Sequence, residues 1–164
     1  MASPIPKWVN PDGSQCLSWD AGIVDAGSYS SIKEVWIWNN KGTSAVSPST
    51  TVADMTNVFI TTKHTDGTDT GPVATQSSAI VEVSTHDGAT WSAFTPVGGS
   101  TQTVQLINES GVVGTIGGAG NDGNPLTTAS KVNFAKVQLR LHVLDTAPAG
   151  AISWKTRVSY QYTS

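Results

Sequence analysis

The chain has 164 residues, of which 13% are charged, and its formal net charge at pH 7 is −3. This length suits one domain with its own hydrophobic core, and the single cysteine excludes a disulfide-stapled scaffold. An acidic balance without aromatic residues among the basic ones argues against a nucleic acid partner, and no apolar run approaches the ~20 residues of a membrane helix.

The N-terminal region is rich in proline and lacks the apolar stretch of a secretory signal, so we expect synthesis in a reducing cytoplasm. Its prolines and the turn Asn10-Pro11-Asp12-Gly13 predict an extended arm over residues 1–13, followed by a single domain over residues 14–164. Ile5 and Trp8 give this arm apolar side chains, which can pack on the arm's own domain or on a neighbouring protein.

The clearest strand of the first half is Ile32–Asn40. Its alternation places Val35 and Ile37 on one face, and Trp36 and Trp38 on the other. Both faces cannot be buried against one sheet. Two interpretations stay open: the tryptophans fill the core while a loop covers Val35 and Ile37, or a tryptophan face contacts another subunit, where Trp is a favoured anchor.

Short strands at the spacing of a sandwich follow from β-branched residues between turn formers. They are predicted over residues 14–19, 56–63, 79–84, 91–94, 104–107 and 112–116, with a brief edge strand at Ile23-Val24. The glycine-rich stretch over residues 117–130 predicts a long mobile loop. Its Gly118–Gly123 portion fits G-x-G-x-x-G, but no helical period follows, so a dinucleotide site is not expected.

The C-terminal third alternates with a period of two, which is typical of strands with one buried and one solvated face. In the first run the apolar residues Val137, Leu139, Leu141 and Val143 alternate with Lys136, Gln138, Arg140 and His142. The second run, residues 152–162, repeats this pattern after a turn-rich connection. We predict a long antiparallel hairpin whose apolar face closes the core and whose other face is basic. The predicted fold class is therefore all-β, an antiparallel sandwich that is Ig-like or jelly-roll-like.

Charge is distributed unevenly along the chain. Residues 131–164 carry five basic residues and one acidic residue, a charge of +4, whereas residues 1–130 carry four basic and eleven acidic residues, a charge of −7. This polarity favours contact between like molecules, although a solvated strand face gives the same pattern.

No constellation typical of catalysis is present. The three histidines lie on separate segments without metal-ligand spacing, and no sequence-local context activates a serine or the cysteine. Loop aspartates commonly stabilise turns, with a weak calcium site as the alternative; these are Asp66, Asp69, Asp87 and Asp122. We predict a protein that is not an enzyme and needs no cofactor.

Several stretches resemble structural proteins of tailed bacteriophages. They are Val24–Gly27, Ile32–Gly42, Asn133–Leu141, Ala147–Gly150 and Thr156–Tyr162. The resemblance spans most of the chain and contains no catalytic signature. It implies an Ig-like or related sandwich mounted on the virion, either a capsid decoration protein or an accessory protein of the neck or tail, assembled in the host bacterial cytoplasm.

The predicted function is that of a non-enzymatic virion structural protein bound in many copies, with other virion proteins and copies of itself as partners. The predicted interface residues are Trp8, Trp36, Trp38, Lys136, Arg140, Lys155 and Arg157. Charge reversal at Arg140 and Arg157 is expected to weaken incorporation into particles and to leave the fold intact. The alternative is a carbohydrate-binding module in which Trp36 and Trp38 stack on sugar rings.

Overall fold

The structure is a computed structural model that describes all 164 residues. The regular elements are nine strands and one short 3-10 helix (Thr128–Asn133). The strands are β1 (Pro6–Val9), β2 (Lys33–Asn39), β3 (Met55–Lys63), β4 (Ala79–Thr85), β5 (Thr95–Val97), β6 (Val104–Gln105), β7 (Thr115–Ile116), β8 (Phe134–Val143) and β9 (Lys155–Gln161). The predicted all-β class is confirmed.

Two antiparallel sheets form the sandwich. The first has the strand order β1-β2-β8-β4-β5, and in the second β3 pairs with β6, β7 and β9. The segments predicted as strands over residues 14–19 and at Ile23-Val24 contain no strand beyond a single bridge at Gln15.

The predicted C-terminal hairpin is wrong, because its two strands lie in different sheets. β8 pairs with β2 and β4 in the first sheet, while β9 pairs with β3 in the second. The predicted faces are correct: Val137 and Leu139 are buried in the core, and Val158 packs against it half-buried. Alternation determines which side chains face the core, but it carries no information about which strand lies alongside.

The tryptophan-filled core proposed for β2 is also wrong. Val35 and Ile37 face the interior and belong to the main core between the sheets. Trp38 is fully buried on the other face of the first sheet, in a small separate cluster with Val9 and Phe134. Both faces of β2 are therefore apolar because each covers a different cluster.

The extended N-terminal arm is not confirmed as a separate element. Residues Pro6–Val9 form β1, the edge strand of the first sheet, with Trp8 opposite Ile37. Upstream of β1, the Ile5 backbone N–H donates to Asn39 Oδ1 at 2.9 Å. Of the two possibilities for the arm, the structure shows packing on its own domain.

The loop predicted to be mobile is anchored by buried asparagines, Asn40, Asn121 and Asn133, which we call the asparagine cluster. Asn40 Nδ2 donates to the Gly118 carbonyl at 2.9 Å, and Asn121 Nδ2 donates to the Asn40 carbonyl at 2.8 Å. In return the Gly42 N–H donates to Asn121 Oδ1 at 3.0 Å. These bonds tie the glycine-rich loop to the end of the sandwich where β2 ends and β8 begins.

Candidate docking surface

A large recess opens between the two sheets at the end of the sandwich opposite the asparagine cluster. Its volume is about 1130 Å³. Val35, Leu139 and Leu141, from the inner face of the first sheet, line it, and its walls are residues 16–26 and 147–156. These side chains belong to the core and are at most 5% exposed, because residues 16–26 and 147–156 cover them at this end.

The wall over residues 16–26 has no helix or strand, yet apolar side chains hold it in place. Trp19 meets Trp154 edge to face, with ring centroids 5.4 Å apart, and Val24 packs against the core. In contrast, Leu17 is 83% exposed and Ile23 is fully exposed. Two large apolar side chains therefore project into solvent at the mouth of the recess.

The wall over residues 147–156 leads into β9, an edge strand whose first two residues, Lys155 and Thr156, line the recess. This strand pairs with β3 alone, so the N–H and C=O groups on its second side have no strand partner. Lys155 and Arg157 are exposed on its outer face, and neither takes part in any of the four ion pairs of the chain. An unpaired edge of this kind is a template for another strand.

The single basic face predicted for the C-terminal third does not exist, because its residues are divided between the sheets. Lys136 and Arg140 lie on the outer face of the first sheet, while Lys155 and Arg157 lie on the second. The first pair is compensated within the chain: Lys136 Nζ is 3.2 Å from Oε2 of Glu109, and Arg140 Nε is 2.5 Å from Oε2 of Glu82. Only the pair on β9 is free to meet an acidic partner.

Arg140 is embedded in the first sheet's surface, with its guanidinium 4.2 Å from the Tyr29 ring centroid and 4.1 Å from that of Phe94. Arg140→Glu is therefore expected to lower the free energy of unfolding by about 2 kcal/mol, since it places a carboxylate against Glu82. Urea unfolding followed by circular dichroism measures this loss. The control is Arg157→Glu, which changes the same charge at an exposed position and is expected to stay within about 0.5 kcal/mol of wild type. Equal stability of the two variants would contradict the compensated role of Arg140.

The tryptophans predicted for the interface occupy three different environments. Trp8 is half-buried and lines the recess. Trp36 is half-buried, donates from Nε1 to Glu34 at 2.7 Å, and has the Lys136 ammonium 4.9 Å from its ring centroid. Trp38 has no exposed surface. The sugar-stacking platform of Trp36 and Trp38 is therefore not formed.

Three of the four loop aspartates serve their turns, as predicted, and Asp69 is the exception. The backbone N–H of Thr68 donates to Asp66 at 2.9 Å, and that of Thr90 donates to Asp87 at 2.7 Å. Asp69 pairs with Lys63. No group of three or more histidine, cysteine, aspartate or glutamate side chains is arranged to hold a metal ion.

These turn hydrogen bonds give the fold an acid-sensitive component. The N–H groups of Thr68 and Thr90 lower the pKa values of Asp66 and Asp87, and the N–H of Asn124 does the same for Asp122. A carboxyl whose pKa is lower in the folded state stabilises that state above its unfolded pKa, and the stabilisation disappears as the pH falls through the folded pKa.

The melting temperature is therefore expected to be level above about pH 5 and to fall from there toward about pH 2. Scanning calorimetry across this range measures the fall. The triple variant D66N/D87N/D122N keeps acceptor oxygens in the turns but cannot titrate, so its profile should be flatter. A wild-type profile that stays level into strong acid would contradict the assignment.

Sequence reasoning missed the recess and the acidic partners of the first sheet. Glu109 is buried and receives both Lys136 and His86, with His86 Nδ1 2.8 Å from Glu109 Oε1. These three residues come from distant segments of the chain, so no local sequence motif predicts that they meet. For the recess, the available signal was the pair Leu17 and Ile23, two large apolar residues in segments predicted as short strands.

Comparisons with known proteins assign no family to this chain. No protein-family model matches it, and no curated protein is significantly similar to it. No helix in the structure is both long and apolar enough to cross a membrane. The docking surface therefore has to be interpreted from its own geometry and chemistry.

Proposed function

We propose that this protein is a non-enzymatic structural component of a bacteriophage particle, present in many copies and most consistent with capsid decoration. One observation carries the proposal: a large apolar recess lies beside an unpaired strand edge that bears two uncompensated cations. A recess of this kind suits a protein partner better than a small polar ligand, because backbone and apolar side chains are presented together.

The chemistry of the surface favours strand addition. An extended segment laid along β9 can form main-chain hydrogen bonds with the unpaired edge, and its alternate side chains can enter the recess. Lys155 and Arg157 add a preference for an acidic partner, which acts mainly on specificity and on the rate of association. Trp8 and Trp154 add aromatic surface to the lining of the recess.

We propose a location on the virion because stretches of the chain resemble structural proteins of tailed phages. In this proposal the partners are other virion proteins and further copies of the chain, and assembly takes place in the host bacterial cytoplasm. A position on the capsid is preferred, and the neck or tail is the alternative. Neither nucleic acid nor a membrane is a partner in the proposal.

The test is the composition of particles made by the phage or prophage whose genome encodes the chain. Density-gradient particles are expected to contain the protein at a fixed ratio to the major capsid protein, measured by quantitative mass spectrometry. A phage encoding K155E/R157E should incorporate fewer copies, whereas K7E/K131E, with the same change in net charge away from the recess, should match wild type. Absence of the chain from wild-type particles would overturn the proposal.

A further inference from the structure

The two boundaries of the recess carry opposite charges that are not neutralised within the chain. Residues 16–26 contain Asp20 and Asp25 and no basic residue, while β9 contains Lys155 and Arg157 and no acidic residue. None of these four side chains takes part in an ion pair of the chain. One molecule therefore presents a −2 segment and a +2 strand beside the same opening.

Most backbone N–H groups of the acidic boundary, residues 16–26, donate no hydrogen bond within the chain. From Leu17 to Ala26, the N–H of Gly22 alone donates a hydrogen bond within the chain, and its acceptor is Asp20 Oδ1 at 2.8 Å. Its exposed side chains, Leu17 and Ile23, are the kind that a recess of core residues accepts. The segment thus offers three features that the β9 edge and the recess can bind: free backbone N–H groups, exposed apolar side chains and negative charge.

We propose that the recess is the interface of a symmetric dimer, in which the segment over residues 17–26 of each copy lies along β9 and at the recess of the other copy. This inference rests on the proposed function, because it names a partner for the same docking surface. In a two-fold arrangement each contact occurs twice, so the −2 segment and the +2 strand are matched on both sides.

The charges also disfavour the simplest alternative dimer. Direct pairing of β9 with β9 of a second copy would bring Lys155 and Arg157 near their own equivalents, and like charges across paired strands are destabilising. Cations on an edge strand commonly prevent such edge-to-edge pairing. The acidic segment is consequently the part of a second copy that fits this edge.

Sedimentation velocity of the full chain over a range of concentrations tests the dimer. Wild type is expected to dimerise, with a dissociation constant that rises with salt concentration. D20K/D25K and K155E/R157E should each weaken dimerisation at least about tenfold. Mixing these two variants should give a heterodimer whose two contacts both pair opposite charges, and combining all four changes in one chain should restore the homodimer.

The control K7E/K131E should dimerise as wild type, and circular dichroism with thermal unfolding should show that every variant is folded. A wild-type chain that remains monomeric overturns the inference, and so does dimerisation that is unchanged in both double variants or not restored by the fourfold exchange. Failure of the proposed function gives a different result, namely a dimer in solution that is missing from particles.

Discussion

Gly42→Ala is expected to be among the most destabilising single substitutions in this protein, with a loss of about 3–5 kcal/mol. A β-carbon at this position would lie 1.9 Å from the Asn121 carbonyl oxygen and 2.7 Å from its carbon, both of them backbone atoms. The only relief is to move the glycine-rich loop, which breaks the hydrogen bonds of the asparagine cluster. Thermal unfolding should show a fall in melting temperature of roughly 10 °C.

Gly67→Ala is the matched control. Gly67 has a φ of +87° but nothing within 4 Å of its added carbon, so only backbone strain opposes alanine. That strain is about 1–2 kcal/mol. The two substitutions are chemically identical, but Gly67 presents backbone strain without crowding, and Gly42, whose φ is not positive, presents crowding without that strain. If both lower stability equally, the close approach at Gly42 is not a determinant of the fold.

Trp38→Ala is expected to reduce the free energy of unfolding by about 3–5 kcal/mol. The indole is fully buried and stacks on Phe134, with ring centroids 4.4 Å apart. Removing it leaves a cavity beside Val9 and Phe134, in the small cluster on the outer face of the first sheet. Urea denaturation measures the loss, and the dimerisation constant of the remaining folded protein should not change.

Trp36→Ala is the comparison variant for Trp38→Ala, because Trp36 is less buried and its loss should affect stability less. Trp36 is half-buried and contacts Phe134 and Lys136 at the surface, so its removal is expected to lower the free energy of unfolding by about 1 kcal/mol.

One outcome would contradict the structural role of Trp38. A Trp38→Ala variant that is as stable as wild type but fails to enter particles would restore Trp38 as a partner anchor.

The fold class could be predicted because alternation is a local property. Each run of period two in the C-terminal third became a strand with the expected buried face, as at Val137 and Leu139. Strand pairing could not be predicted in the same way. β8 and β9 are neighbours in sequence, but each pairs with strands far away along the chain, and that choice depends on how both sheets pack.

The docking surface was only partly predictable for a related reason. The basic character of Lys155 and Arg157 was visible in the sequence, and they are exposed as expected. The same pattern at Lys136 and Arg140 was misleading, since Glu109 and Glu82 come from distant segments and neutralise them. The pattern of charged residues along a strand indicates which face is solvated. Whether an acidic side chain neutralises those charges depends on residues that are distant in the sequence.

The long-range strand pairing described above has a consequence for how the protein forms. β3 pairs with β9, joining Lys63 to Lys155, and β2 pairs with β8, joining Lys33 to Leu139. The chain loses the entropy of closing these large loops before the contacts of either sheet can stabilise it. Folding is therefore expected to be slow for a domain of this size. A chain interrupted before β8 has no central strand for its first sheet, so nascent fragments remain open to proteases and chaperones until synthesis has passed Gln161.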